Sequence, residues 1–133
     1  MRINRLIVFP VVAAGLLALV GCSNPFKGSW RATDSSYGCG RDSFTADGDL
    51  KGDGTWYALD TGSSCLVCSF SFTGEDKGND VYRIDIDFDS CNCSGDHTAV
   101  ATCDMNSDGD RLICTLDFGS CSPIGDNTFE KQN

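Results

Sequence analysis

Histidine is all but missing from this chain: His97 is the only one among 133 residues. The commonest general acid–base group is therefore scarce, and His97 follows Gly95-Asp96, where a turn with an exposed ring is expected. No serine stands in a nucleophile-elbow setting either. Carboxylates occur throughout, so a pair such as Asp85 and Asp87 is no specific sign of acid–base chemistry. The chain reads as a protein that is not an enzyme. Positive charge is also in short supply, with 10 Lys and Arg against 19 Asp and Glu and a net charge of −9. That balance repels phosphate backbones and excludes nucleic acid as a partner. Helical periodicity is absent after residue 22. Short apolar–polar alternations broken by Gly, Asp, Asn and Ser take its place, the pattern of antiparallel β-structure.

Cysteine, by contrast, is plentiful, and its count of nine is odd. One thiol has no partner within the chain, and the N-terminus shows which. Arg2 and Arg5 precede an apolar run over residues 6–20, with small residues just before Cys22, the layout of a secretory signal. A membrane-spanning anchor needs about 20 apolar residues, whereas this run is shorter, contains Pro10 and has no basic cluster after it. Leu19-Val20-Gly21-Cys22 resembles the lipobox of bacterial lipoproteins at every position. In that family the cysteine thiol receives a diacylglycerol, and the signal peptide is cut just before it. The resemblance implies a signal peptide over residues 1–21 and lipidation of Cys22, and the rest of the chain divides into a short tether over residues 22–25 and a domain over residues 26–133, read below as a β-barrel. Two or more acyl chains hold durably, at about 0.8 kcal/mol per buried methylene. Ser23 stands where an aspartate would resemble the inner-membrane retention signal. The expectation is a lipid-anchored protein of the bacterial cell envelope, on the outer membrane.

Cys39, Cys65, Cys68, Cys91, Cys93, Cys103, Cys114 and Cys121 remain, an even set in an oxidising compartment. Up to four disulfides are expected, each contributing about 2–4 kcal/mol. Zinc is the rival reading, since Cys65 and Cys68 form a CxxC and Cys91 and Cys93 a CxC. The CxxC lies in an apparent strand, which speaks against a thioredoxin-like redox motif. Loss of Arg2 and Arg5 with the leader leaves 8 basic residues against 19 acidic ones, a net charge near −11. A cationic protein or a divalent ion fits such a surface.

Eight strands are predicted, over residues 28–34, 42–48, 54–60, 65–74, 81–89, 97–105, 111–118 and 127–131. The fold class is all-β: an eight-stranded antiparallel up-and-down meander barrel stabilised by disulfides, with a β-sandwich as the alternative. Two hairpins predict their own register. A two-residue type I′ turn at Asp108-Gly109 sets Met105 opposite Leu112, Cys103 opposite Cys114, Ala101 opposite Leu116 and Ala99 opposite Phe118, all on one face. Cys103–Cys114 is therefore the one disulfide to name, with Cys68 as a competitor. In the other hairpin Phe70, Phe72, Tyr82, Ile84, Ile86 and Phe88 take the core side. Asp85, Asp87 and Asp89 then share the outer face, each about 6–7 Å from the next. They form the candidate binding face.

Gly28-Ser29-Trp30 resembles the GxW signature of lipocalins, in which the tryptophan plugs one end of an eight-stranded barrel. Phe44-Thr45-Ala46-Asp47-Gly48 is similar to the F-x-x-D-G hairpin of small lipocalin-like bacterial lipoproteins. The family's TDY motif is missing, as is the arginine that stacks on the tryptophan; Lys131 or Arg111 is left to replace it. Ligand-carrying lipocalins have longer strands, so a barrel filled by its own side chains is expected here. Asp104, Asn106 and Asp108 before Gly109 resemble half of a calcium loop, although the same residues make the hairpin turn and Thr115 stands where a glutamate is needed. Residues 47–54, DGDLKGDG, read first as a Gly-Asp loop. No cofactor is expected, weak calcium binding aside. The function expected is a membrane-anchored, non-catalytic binding module for a basic partner. The alternative is a lipocalin-type binder of a small apolar ligand.

Overall fold

Strict alternation sorts each strand into an inner and an outer set of side chains, and eight such strands close on themselves. The computed structural model describes residues 24–60, 62–91, 97–116 and 126–133. The strands are β1 (Gly28–Ala32), β2 (Ser43–Ala46), β3 (Lys51–Leu59), β4 (Cys65–Gly78), β5 (Val81–Phe88), β6 (Thr98–Met105), β7 (Arg111–Leu116) and β8 (Asp126–Gln132). Each pairs antiparallel with the next, and β8 returns to β1, so the sheet is a closed barrel rather than a sandwich. The sequence positions Cys22, Cys93, Cys121 and Phe118 lie outside the described residues.

The inner set is aromatic and aliphatic. Phe70, Phe72, Tyr82, Ile84, Ile86 and Phe88 are buried, as are Ala99, Ala101, Cys103, Met105, Leu112 and Phe129. β6 and β7 pair with Met105 opposite Leu112, Cys103 opposite Cys114 and Ala101 opposite Leu116, the register expected from the sequence. One end is plugged by Phe26 and Trp30, each only 1% exposed. Trp30 Nε1 donates to the Phe26 carbonyl at 2.9 Å. Lys131 Nζ lies 5.3 Å from the Trp30 ring centroid, a cation–π contact. Arg111 instead pairs with Glu130 on the outer surface.

Two strand boundaries differ from the sequence expectation by three residues or more. The segment read as a Gly-Asp loop is mostly strand: β3 starts at Lys51, and only residues 47–50 turn. Its two glycines occupy inner positions because the barrel is tight there. A Cβ on Gly52 would clash with the Thr45 carbonyl and the Phe72 ring, and one on Gly54 would stand 2.5 Å from the Phe70 ring. Glycine in a strand here marks close approach, not a loop. Likewise β4 runs past Gly74 to Gly78, with a bulge between Asp76 and Gly78 before the turn.

The Asp108-Gly109 turn also differs in type. A type I′ turn needs positive φ at both central residues, and only Gly109 has it, at 72°. Gly109 N donates to the Asn106 carbonyl at 3.1 Å and Asn106 N to the Arg111 carbonyl at 3.0 Å, so residues 107–110 form a four-residue loop. The register is unchanged because both loops centre on the same point.

Three disulfides join described residues: Cys39–Cys65, Cys68–Cys91 and Cys103–Cys114. Cys103 bonds Cys114 across β6 and β7, while its competitor Cys68 goes to Cys91. The CxxC is thereby split between two disulfides, which removes the zinc pairing drawn from it.

Candidate binding surface

The outer face of β5 is set by the same alternation that buries Ile84, Ile86 and Phe88. Arg83, Asp85 and Asp87 point outward and are exposed, and Asp89 follows just past the strand, also exposed. Asp85 lies between Thr73 of β4 and Val100 of β6, and Asp87 between Ser71 and Thr98. Together Thr73, Asp85, Asp87, Thr98 and Val100 line an open groove of about 530 Å³ on the barrel wall.

Little holds these carboxylates in place. Arg83 Nη2 donates to Asp85 Oδ1 at 3.4 Å, with both side chains about half exposed at 49% and 59%. An exposed pair of that length contributes about 0–1 kcal/mol at most. Among the described residues Asp87 and Asp89 have no side-chain hydrogen bond or ion pair. Both are free to accept from an incoming ammonium or guanidinium, and Ser71 of β4 stands opposite Asp87.

The calcium candidates are arranged differently. Asp104 points outward from β6, opposite Val81 and Ile113. Asn106 is engaged in the turn: its Oδ1 accepts from Asp110 N at 3.1 Å and Arg111 N at 3.0 Å, and its Nδ2 donates to Asp110 Oδ1 at 2.7 Å. Asp108 lies exposed in the loop. No group of three or more His, Cys, Asp or Glu among the described residues could hold a metal ion. His97 is exposed beside β6, its carbonyl accepting from Phe88 N.

The barrel interior holds a small cavity of about 50 Å³, lined by Phe44, Trp56, Phe70, Phe72, Ile86 and Leu116 among others. Drug-sized ligand pockets run to about 300–1,000 Å³, so the described side chains fill the interior, as the sequence suggested.

At the cavity's edge sits a polar residue that the sequence reading missed. Asp42 is 1% exposed. Its Oδ1 accepts from Tyr57 N at 2.8 Å, and its Oδ2 accepts from Ser36 Oγ at 2.8 Å and Asn127 Nδ2 at 2.9 Å. Burial raises its pKa above 3.8, and those three hydrogen bonds oppose the rise. The carboxylate thereby ties the β1–β2 connection, β3 and β8 together. Strand period was the available signal, because residue 42 has the inward parity of Phe44 and Ala46, and Asn127 that of Phe129. At the same end Tyr37, Leu59, Leu66 and Val67 are exposed apolar residues, at 48%, 39%, 37% and 60%. No protein-family model, curated protein or solved structure matches the chain, so its chemistry is read from its own residues.

Proposed function

We propose that the protein is a lipid-anchored envelope protein whose barrel acts as a non-catalytic binding module, capturing a basic partner on the outer face of β5. One observation carries this reading: Asp85 and Asp87 are exposed along β5 and Asp89 just past its end, and their only side-chain partner among the described residues is Arg83, at 3.4 Å from Asp85. Core packing does not require them, since the buried positions of β5 alternate with them. Adjacent carboxylates repel mildly, and a cationic partner relieves that repulsion. The excess of acidic over basic residues extends the attraction beyond contact range, which speeds encounter more than it deepens affinity. The reading of a small apolar ligand in the barrel is less well supported, because the interior side chains leave only about 50 Å³.

Lipid anchoring rests on the lipobox. Expressed in a bacterium, the protein should partition into detergent with added lipid mass on Cys22, and Cys22→Ala should accumulate as an unprocessed precursor. Normal processing and lipid mass in Cys22→Ala would remove this part of the proposal. The binding face is tested by capture from envelope extract with oxidised protein. Basic proteins should be retained at low salt, released as salt rises, and lost from the Asp85→Asn, Asp87→Asn, Asp89→Asn triple variant. Equal capture by the parent and the triple variant would refute the acidic face.

A further inference from the structure

The chain enters the barrel at its plugged end, and the entry is fixed rather than loose. Phe26 N donates to Asn24 Oδ1 at 2.9 Å, and Lys27 N to the Asn24 carbonyl at 3.1 Å. Lys131 Nζ, already over Trp30, donates to the Pro25 carbonyl at 2.7 Å. Pro25 also lies against the β6–β7 turn, its Cβ 3.6 Å from where a Cβ on Gly109 would stand. Phe26 then inserts into the core, meeting Trp30, Phe44, Phe72 and Tyr82 at ring-centroid distances of 4.9–6.5 Å. The segment from Asn24 is therefore docked on one end of the barrel. Only Ser23 separates Asn24 from Cys22, and two residue steps reach at most about 7 Å.

Resting on the lipid-anchor reading above, we propose that the lipid holds the barrel plugged end down, and that the end surface built by residues 47–51, 78–81 and 106–111 faces the lipid headgroups. A long flexible tether would let the barrel turn freely; one of this length, ending on a pinned segment, does not. The short tether, not charge attraction, sets this orientation, because acidic side chains outnumber basic ones at the plugged end. The facing hairpins are polar and charged, with Asp47, Asp49, Glu75, Asp76, Asp80, Asp108 and Asp110 set against Lys27, Lys51, Lys77 and Lys131. Such a charged surface stays out of the acyl layer. Among the described residues, four of the five exposed large hydrophobics, Tyr37, Leu59, Leu66 and Val67, lie at the opposite end, and the fifth, Ile113, lies on the wall. β5 rises from the plugged end, so Asp85, Asp87 and Asp89 stand progressively farther from the bilayer, open to a partner arriving from solution.

The protein's own two tryptophans report this orientation. Trp30 sits on the plug, whereas Trp56 lies opposite Cys68 and packs edge-on against Phe88, the last residue of β5, at 6.4 Å. Full-length lipidated protein is reconstituted into vesicles carrying a nitroxide-labelled headgroup lipid, and the fluorescence of the parent and of Trp56→Phe is compared. In Trp56→Phe the remaining Trp30 emission should be mostly quenched, while the parent keeps a large unquenched fraction from Trp56. Trp30→Phe, where it folds, should be quenched little. Quenching of Trp30 no stronger than that of Trp56, in protein whose mass confirms lipid on Cys22, would overturn the orientation. Protein without lipid mass on Cys22 would instead refute the anchor reading beneath it and the orientation with it.

Discussion

The two ends of the barrel are closed by different means. At the plugged end the strands are joined by short turns, and side chains satisfy the turn backbone. Asp47 Oδ1 accepts from Asp49 N at 2.8 Å and Lys51 N at 3.0 Å, and Asn106 does the same for Asp110 and Arg111. Asn79 and Asp80 take positive φ between β4 and β5, as a two-residue primed turn requires. At the far end the β3–β4 turn is also short, with Asp60 Oδ1 accepting from Gly62 N and Ser64 N at 2.8 Å, but residues 33–42 make a longer connection between β1 and β2. There Cys39–Cys65 and Cys68–Cys91 cross-link neighbouring segments, and the buried carboxylate of Asp42 joins three of them. Short turns need only the right residue at the right φ. Longer connections lose more conformational entropy on ordering, so covalent links and a buried polar clamp stabilise them.

Reduction should break this contrast most strongly. Closing loops of 26 and 23 residues is worth about 3 kcal/mol per disulfide in the chain-entropy account. A shift of 1 kcal/mol moves the Tm of a domain this size by about 4–8 °C, so full reduction should lower Tm by tens of degrees in calorimetry. Under limiting reductant the exposed Cys65 should open its bond first, and the buried Cys103–Cys114 last. A Tm insensitive to reductant would mean that the far end does not depend on its cross-links.

At the plugged end the dependence is on packing. Phe26→Ala should cost about 3–5 kcal/mol in chemical unfolding, the range for deleting a buried aromatic ring. Val67→Ala at the far end, 60% exposed, should change stability by no more than about 0.5 kcal/mol. Similar costs for the two would contradict the assignment of the plug.

A subtler contrast lies in two carboxylates. Asp42 has a raised pKa, chiefly from desolvation, and Asp47 a lowered one, chiefly from the Lys51 and Asp49 backbone N–H groups. The folded state therefore holds the Asp42 proton more firmly than the unfolded chain does. Its contribution is full below 3.8 and is lost as pH rises through the raised folded value. Asp47 works in the opposite sense: its contribution is present above 3.8 and is lost as pH falls through the lowered folded value. In unfolding titrations across acidic pH, Asp42→Asn should remove a component that falls with pH, and Asp47→Asn one that rises with it. Changes of the same sign in both variants would contradict the assigned environments.

Much of the barrel was legible in the sequence because alternation is a local signal that tertiary packing reinforces. The β6–β7 register followed from faces that only one pairing keeps unmixed, with Met105 opposite Leu112 and Cys103 opposite Cys114. The β3 boundary was hidden because Gly52 and Gly54 look like loop residues until the Phe70 and Phe72 rings that cover them are in place. The type of the 106–111 turn was hidden for a related reason. Asp-Gly suits two loops with the same centre, and the Asn106 side chain decides between them. The acidic face could be read directly from strand parity. Asp42 could not be singled out by residue type, because its burial depends on Ser36 and Asn127, the latter 85 residues away.

The association rate of a basic partner, isolated by capture from envelope extract, tests the account most directly. It is to be measured for the parent and for the Asp85→Asn, Asp87→Asn, Asp89→Asn variant at low and at high salt. Exposed charges act over about 8 Å at physiological ionic strength, so the parent should bind faster at low salt and lose that advantage at high salt. The variant should be slower at low salt with an almost unchanged Tm. Equal rates for the two proteins at both salt concentrations would contradict the account, leaving the three aspartates as solvated surface alone.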